Sequence, residues 1–189
     1  MIALLCAMTA QADAQDLKSI LSGIAKSVVG DKATTAATIV GAWSYAGPAC
    51  RFESDDVLSK VGGEAASSAV EEKLESVYAT LGMNTIRYTF NEDNTCSYTL
   101  KGKTVEGTYT FDAEAKTLTI TTGRLKVKTV AHVVTLGENM SFVFKADKLM
   151  SILKTITGAA SKVNSTAATL NSLAGNYDGL MLGFELKKQ

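Results

Sequence analysis

The stretch IVGAWSYAGPACRFES, residues 39–54, places a Gly-x-Trp on a short apolar strand and then turns the chain abruptly. Gly47-Pro48 is predicted to end this strand, because proline has no N–H to donate to a neighbouring strand. Ser54 follows as a candidate helix N-cap, and two aspartates follow it in the first turn, where carboxylates suit the helix dipole. The stretch therefore predicts a first β-strand that leads directly into a helical insert.

The middle of the chain predicts a β-meander. After residue 84, apolar and polar residues alternate along six successive runs, which is the period of strands with one buried face. Pieces such as EDNT, KGK and LGEN join the runs, and they are too short for the crossovers that parallel strands need. A first strand around Trp43 and a last strand around Phe184 bring the count to eight. Pairing these two strands would remove both exposed edges, so the sequence predicts an eight-stranded antiparallel up-and-down barrel.

Two helical inserts interrupt the strand pattern. The first insert includes residues 64–81, which end before Gly82 and carry one apolar stripe: Ala69, Val70, Leu74, Val77, Tyr78 and Leu81. The second insert starts at Asp147 with the stripe Leu149, Met150, Ile152, Leu153 and Ile156, and a further helix is predicted from about Asn164 to Gly175. The predicted fold is therefore mainly β, with helices after the first strand and before the last.

The N-terminal part of the chain predicts export. Residues 2–10 are apolar and Ala12-Asp13-Ala14 follows, which resembles a signal peptide with its cleavage site, although a basic segment is missing. The predicted division is residues 1–14 as signal peptide, residues 15–37 as an amphipathic helix with a linker, and residues 38–189 as the barrel domain. The helix is predicted at residues 16–29 from the stripe Leu17, Ile20, Leu21, Ile24 and Val28. The expected location is the periplasm, the cell surface or the exterior.

Charge and composition exclude several classes of function. The chain has 19 basic and 19 acidic residues and a net charge of zero, so it lacks the basic surface expected of a nucleic-acid-binding protein. Beyond the signal-like segment, no run reaches the roughly 18 apolar residues of a transmembrane helix. The sequence does not indicate a protein partner or an oligomeric state.

Residues that carry chemistry do not form a recognisable catalytic pattern. His132 is the single histidine and lies in an alternating run, where a place on the outer face or rim is expected rather than a metal site. The adjacent acids Asp55-Asp56 and Glu71-Glu72 are expected to face water. The chain has no glycine-rich phosphate loop, nucleophile elbow or CxxC. We therefore expect no enzyme activity, no cofactor and no metal.

Two cysteines follow the predicted signal peptide, Cys50 and Cys96. An exported compartment permits disulfides. Cys50 is expected just past the first strand and Cys96 at the start of the third, so we predict that both lie near one rim and pair.

Gly41-Ala42-Trp43 on the first of eight strands resembles the lipocalin signature. The resemblance extends over nearly the whole mature chain to an uncharacterised family of lipocalin-like exported bacterial proteins, through GAWSYAGPACRFESDD, KVGGEAA and LAGNYDGLMLGFELKK. It implies the fold, the export route and a Trp43 that packs across one end of the barrel. It implies no activity, and the helical insert after the first strand departs from the large loop found in lipocalins.

Aromatic residues recur on the predicted inner face. They are Trp43, Tyr45, Tyr88, Phe90, Tyr98, Tyr109, Phe111, Phe142, Phe144 and Phe184. One interpretation is the wall of a pocket for a small apolar or amphipathic ligand, because such sites are lined by aromatic side chains. The other is a filled barrel in an envelope structural or interaction protein, because eight strands leave only enough room for their own side chains. The sequence leaves both open.

Overall fold

The computed structural model describes residues 34–52, 63–123, 126–157, 166–176 and 179–189. The predicted signal peptide, the helix at residues 16–29 and the helix start at Ser54 lie outside the described residues.

Eight strands and four α-helices follow one another along these ranges. In chain order they are α1 Ala36–Ile39, β1 Gly41–Phe52, α2 Gly63–Leu81, β2 Arg87–Phe90, β3 Thr95–Leu100, β4 Lys103–Asp112, β5 Thr117–Thr122, β6 Val127–Leu136, β7 Asn139–Lys145, α3 Ala146–Thr157, α4 Ala167–Asn176 and β8 Leu180–Lys188. A short 3₁₀ helix, Met83–Thr85, precedes β2.

The eight strands form a closed antiparallel barrel in sequence order. Closure depends on β1, which pairs with β2 on one side and with β8 on the other. The β1–β8 ladder extends from the Trp43–Lys188 pair to the Phe52–Leu180 pair. The predicted barrel, with closure between the first and last strands, is therefore confirmed. We call the end at Trp43 the lower end and the end at Phe52 the upper end.

The prediction that Gly47-Pro48 ends the first strand is wrong. β1 continues through Pro48 to Phe52, with a register shift between Tyr45 and Gly47 in its pairing with β8. The β2 ladder already stops at the Ser44–Arg87 pair, so Pro48 lies where β1 has a strand on one side only. A proline is tolerated at such an edge or bulge because no neighbouring strand needs its N–H.

Helix α2 lies along the part of β1 that β2 leaves uncovered. After β1 the chain returns through α2 to Ile86, whose carbonyl accepts a hydrogen bond from the Tyr45 N–H at 3.1 Å. The predicted stripe of α2 is buried except for Ala69, which is exposed; the buried members are Val70, Leu74, Val77, Tyr78 and Leu81. Gly82 ends the helix in the left-handed region with φ 74°. Helix α2 thus covers an edge that would otherwise be open.

The lower end is closed by Trp43 and the segment that precedes β1. The Trp43 side chain is fully buried, and its Nε1 donates to the Ile39 carbonyl at 2.8 Å. Thr34 anchors the segment, since its Oγ1 accepts from the Thr135 N–H at 2.9 Å. Gly41 has φ 134°, a backbone conformation that favours glycine. A Cβ there would lie 2.8 Å from the Lys188 Cε, so the space beside this residue also suits glycine.

The upper end is covered by α3, which follows β7 without an intervening loop. Its buried residues are Leu149, Leu153 and Ile156, and they belong to the same core as the barrel interior. Helix α4 packs against α3 and buries Leu170. The predicted start of the last helix near Asn164 lies outside the described residues; α4 is described from Ala167.

The predicted Cys50–Cys96 disulfide is not formed, because the structure holds both cysteines as buried thiols. Cys96 pairs with Phe90, which in turn pairs with Gly41 at the lower end of β1. Cys50 lies within β1 towards its upper end, opposite Leu182. The strands β1 and β3 run in the same direction in an up-and-down barrel, so the end of one and the start of the other lie at opposite rims. The expectation of a shared rim was wrong for this reason.

We expect Trp43→Ala to lower the free energy of unfolding by about 3–5 kcal/mol, the usual cost of truncating a large buried aromatic residue. Trp43→Phe should cost less, because it fills most of the space and loses only the hydrogen bond to Ile39. The measurement is a denaturant titration followed by circular dichroism, since Trp43 is the single tryptophan. An alanine variant within about 1 kcal/mol of wild type would contradict the burial of Trp43.

We expect Cys50 and Cys96 to react with iodoacetamide only after unfolding, and to do so without any reductant. Both thiols are buried, and burial raises the pKa of Cys96 to about 11, which suppresses the reactive thiolate. Peptide mapping by mass spectrometry, with and without guanidinium, measures the alkylation of each cysteine. A linked Cys50–Cys96 peptide that alkylates only after reduction would show that the disulfide exists.

Candidate ligand-binding site

The ten aromatic residues predicted on the inner face all belong to the core or pack against it. Five are exposed by 1% or less: Trp43, Phe90, Phe142, Phe144 and Phe184. Tyr88, Tyr98 and Tyr109 are buried with small exposed fractions, and Tyr45 and Phe111 are partly buried. The structure therefore brings these residues together inside one barrel.

The rings contact one another rather than enclosing a large space. From Phe90 the contacts lead through Phe142 and Phe144 to Phe184, with centroid separations of 6.5, 5.3 and 6.0 Å. Tyr78 of α2 continues the series at 5.1 Å from Phe184. Separations of 4.5–7 Å with tilted or edge-to-face rings are those preferred by aromatic pairs. The lower and middle interior is accordingly packed with side chains.

A pocket lies at the upper end, between the barrel and α3. Its cavity volume is about 10 Å³, which is close to the space that a single water molecule needs. Three of the predicted aromatic residues line it, together with side chains from β5, β6 and α3; the full set is Tyr88, Tyr98, Ile120, Thr122, Thr129, Phe142, Thr155 and Ile156. The wall thus combines apolar rings and aliphatic chains with a few hydroxyl groups.

The phenols in and near this pocket are uncharged at neutral pH. Burial raises the pKa of Tyr98, and burial followed by the nearby Tyr98 and Cys96 raises the pKa of Tyr88. A neutral phenol both donates and accepts a hydrogen bond. The pocket can therefore bind an apolar molecule that carries one or two uncharged polar groups.

Tyr109 packs at the lower end of the barrel, where its hydroxyl is hydrogen-bonded. Its hydroxyl donates to the Asn91 carbonyl at 2.7 Å, and its ring lies edge-on to Phe90 at 5.2 Å. Tyr45 points toward α2, and its hydroxyl donates to the Glu75 Oε2 at 3.3 Å. These two residues line the barrel but not the pocket.

Several pocket residues were not predicted from the sequence as lining residues. Thr122 and Thr129 share the inward side of their strands with Ile120 and Ala131, so the alternation that identified the aromatic residues includes them as well. Thr155 and Ile156 lie at the end of α3, and the sequence does not show which part of the barrel this helix covers.

The remaining chemical groups do not form a second site. His132 is half-buried in β6 and alternates with the inward-facing Ala131 and Val133, which agrees with the expected outer face. Among the residues that the structure describes, no three or more His, Cys, Asp or Glu side chains are grouped so as to hold a metal ion. Within the same ranges, no helix has the length and hydropathy needed to span a membrane.

One carboxyl group outside the barrel interior has a strongly altered affinity for protons. Glu185 of β8 is half-buried, and burial raises its pKa to about 7. The Ser141 hydroxyl and the Arg51 guanidinium act in the opposite direction, and Glu71 adds to the increase. Each of these effects on the pKa of Glu185 is smaller than the effect of burial. The dominant cause is therefore the loss of water around the carboxylate.

Comparison with known proteins gives a family match and one structural likeness. A family model described as a lipocalin-like domain (DUF4923) matches residues 13–188, a range that includes every strand and helix described above. No protein of curated function matches the sequence. The chain is similar to the crystal structure of a DUF4847 family protein from Bacteroides vulgatus ATCC 8482, with 11% identity and a TM-score of 0.38, over 80% of this chain and 96% of that one.

We expect Glu185→Gln to stabilise the protein at pH 8 and to have little effect at pH 4. The carboxyl has a pKa of about 7 in the folded protein and an ordinary value of 4.5, so the folded state binds more protons than the unfolded state between these values. Wild-type stability should therefore fall as the pH rises from 4.5 to 7. One pKa unit corresponds to about 1.4 kcal/mol, and partial exposure reduces the effect, so we expect a gain of about 1–2 kcal/mol above pH 7.

The measurement is a series of urea titrations between pH 4 and pH 8 on wild type and variant. Glu138→Gln, at an exposed glutamate in the β6–β7 turn, is the matched control and should show no such dependence on pH. A difference between wild type and Glu185→Gln that stays constant with pH would contradict the raised pKa.

Proposed function

Because the chain belongs to the family of lipocalin-like domains DUF4923, we propose that it is an exported protein that binds a small amphipathic molecule at the upper end of its barrel. The observation that carries the proposal is the pocket beneath α3, with its wall of Tyr88, Tyr98, Ile120 and Phe142. Such a wall, apolar with a few polar groups, is the usual composition of a small-molecule site. The proposed role is binding rather than catalysis.

The pocket must enlarge before it can hold more than a water molecule. Three apolar side chains hold α3 against the barrel, and each contributes about 1.5–3 kcal/mol by burial, so lifting the whole helix would cost several kcal/mol. Moving only the last turn exposes Ile156, which is already 8% exposed. A ligand that replaces the contacts of Ile156 recovers most of that cost. We therefore propose that the end of α3, with Thr155 and Ile156, moves on binding.

A second function is favoured by the packing of the rings. The aromatic series from Phe90 to Tyr78 leaves the middle of the barrel filled, which agrees with a structural or interaction protein that takes no ligand. In that case the 10 Å³ cavity is a packing defect or holds one water molecule. The two functions differ in whether the upper end accepts an apolar probe.

Export is proposed from the sequence of the N-terminal segment. Residues 2–10 are apolar and the small residues Ala12 and Ala14 follow, which is the arrangement of the apolar region and cleavage site of a signal peptide. A periplasmic, cell-surface or secreted location suits a binder of poorly soluble molecules, which must be carried through water.

We expect the uncharged dye N-phenyl-naphthylamine to bind wild-type protein with a defined stoichiometry. Ile156→Ala should strengthen binding because it opens the pocket, and Ile120→Trp should abolish it because the indole fills the pocket. The measurement is a fluorescence titration of each folded protein. Ile39→Ala is the matched control for lost stability, because Ile39 is fully buried at the lower end, away from the pocket.

Both isoleucine-to-alanine variants should be destabilised by about 2–5 kcal/mol, so a change in dye binding that is confined to Ile156→Ala locates the site. If wild type and Ile156→Ala both fail to bind the dye, the binding function is wrong and the filled barrel is favoured.

Export predicts a mature protein that begins at Gln15. The measurement is expression of the full chain in a Gram-negative host, followed by intact-mass analysis of the periplasmic fraction. Ala14→Arg is the matched variant, and it should block cleavage because the site needs a small residue. Full-length protein confined to the cytoplasm would contradict export.

A further inference from the structure

The hydroxyl of Tyr78 is a buried polar group. Tyr78 lies on α2 and is 0% exposed, and its hydroxyl forms no hydrogen bond with any other residue that the structure describes. The other interior phenol with a defined role, Tyr109, donates to the Asn91 carbonyl. Buried polar groups in folded proteins are almost always hydrogen-bonded, and an unpaired one reduces stability. This hydroxyl therefore requires an explanation that the packing of α2 does not supply.

The Tyr78 side chain lies among other aromatic rings. The Tyr78 ring packs on Phe184 at 5.1 Å and lies edge-on to Tyr45 at 6.4 Å. Burial raises the pKa of Tyr78 well above its usual value, and the smaller electrostatic effects come from Tyr45, Cys50 and Tyr88. No lysine or arginine among the described residues is one of the groups that shift the pKa of Tyr78. The hydroxyl thus remains protonated and presents a hydrogen-bond donor in an apolar interior.

The same interior leads to the pocket at the upper end. Tyr88 and Phe142 line that pocket, and their ring centroids are 5.3 Å apart. Phe142, Phe144 and Phe184 then connect the pocket to Tyr78 through consecutive ring contacts. These rings are fully buried and fill the space between, so a ligand reaches the Tyr78 hydroxyl only when Phe142, Phe144 and Phe184 change rotamer and the end of α3 also moves.

We propose that Tyr78 is the polar recognition residue for the ligand of the upper pocket, and that this ligand is an uncharged molecule with an oxygen acceptor such as a ketone, ester or ether. The inference rests on the binding function proposed above. An acceptor oxygen pairs the orphan hydroxyl and so gains a hydrogen bond at no cost to an existing one. A carboxylate or sulfonate is disfavoured, because burying an anion without a cation beside it is far more costly than burying a neutral oxygen.

The test compares three naphthalene dyes on the intact protein. Prodan is uncharged and has a ketone oxygen, N-phenyl-naphthylamine is uncharged and has no carbonyl, and anilinonaphthalene sulfonate is anionic. We expect wild type to bind Prodan more tightly than the other two. Tyr78→Phe should weaken the binding of Prodan about five- to tenfold, the value of one hydrogen bond, and leave the affinity for N-phenyl-naphthylamine unchanged.

Tyr109→Phe is the matched control, because it removes the same atom from a phenol whose hydroxyl already has a partner. It should lower the midpoint of thermal unfolding without changing the ratio of the affinities for the two uncharged dyes. Tyr78→Phe should keep or raise that midpoint in the absence of ligand, because the lost hydroxyl was unpaired.

The outcomes separate the two proposals. If both uncharged dyes bind and Tyr78→Phe weakens them equally or not at all, the role of Tyr78 is wrong and the binding function stands. If anilinonaphthalene sulfonate binds most tightly, the ligand class is wrong. If no dye binds, the binding function fails and the inference fails with it.

Discussion

The barrel closes because β1 pairs with β8. This pairing joins the first strand to the last through a ladder from the Trp43–Lys188 pair to the Phe52–Leu180 pair. Without it the sheet would have two exposed edges, and its aromatic face would be open to water. Closure gives the barrel two ends, and each end then needs its own cover. The lower end has Trp43 with α1, and the upper end has α3.

The same closure explains the place of α2 and of the orphan hydroxyl. The register of β1 shifts after Tyr45, and β2 pairs only with residues 41–44, so the upper half of β1 lacks a strand on that side. Helix α2 covers this half and turns Tyr78 against Phe184 in the interior. A strand in that position would present its backbone there. The helix supplies a phenol instead, so the gap in the β1–β2 pairing places Tyr78 inside the barrel.

Alternation in the sequence was sufficient to predict the eight strands, their order and the closure, because a period of two with short links permits few other arrangements. It was insufficient at Pro48. Proline is excluded only where a neighbouring strand needs its N–H, and the short β2 removes that need. The positions of Cys50 and Cys96 follow from strand direction. In the predicted up-and-down barrel the first and third strands run the same way, so the end of one and the start of the other already belonged at opposite rims.

The candidate site was predictable in part. The inward rings Tyr88, Tyr98 and Phe142 follow from the alternation, but the pocket also needs Thr155 and Ile156 of α3. An apolar stripe predicts that a helix is packed and does not predict where. Whether ten aromatic side chains leave a cavity depends on their rotamers, and the ring contacts show that the middle of the barrel is filled and that the remaining space lies beneath α3.

We propose that the upper end of the barrel, beneath α3, receives the ligand. The most direct measurement is a two-dimensional NMR titration of isotope-labelled protein with Prodan. We expect the largest shifts of amide signals at Tyr88, Tyr98, Ile120, Thr129 and the last turn of α3, with little change at Thr34 of the lower end. Shifts confined to the outer surface or to the lower end, or no shifts at all, would contradict it.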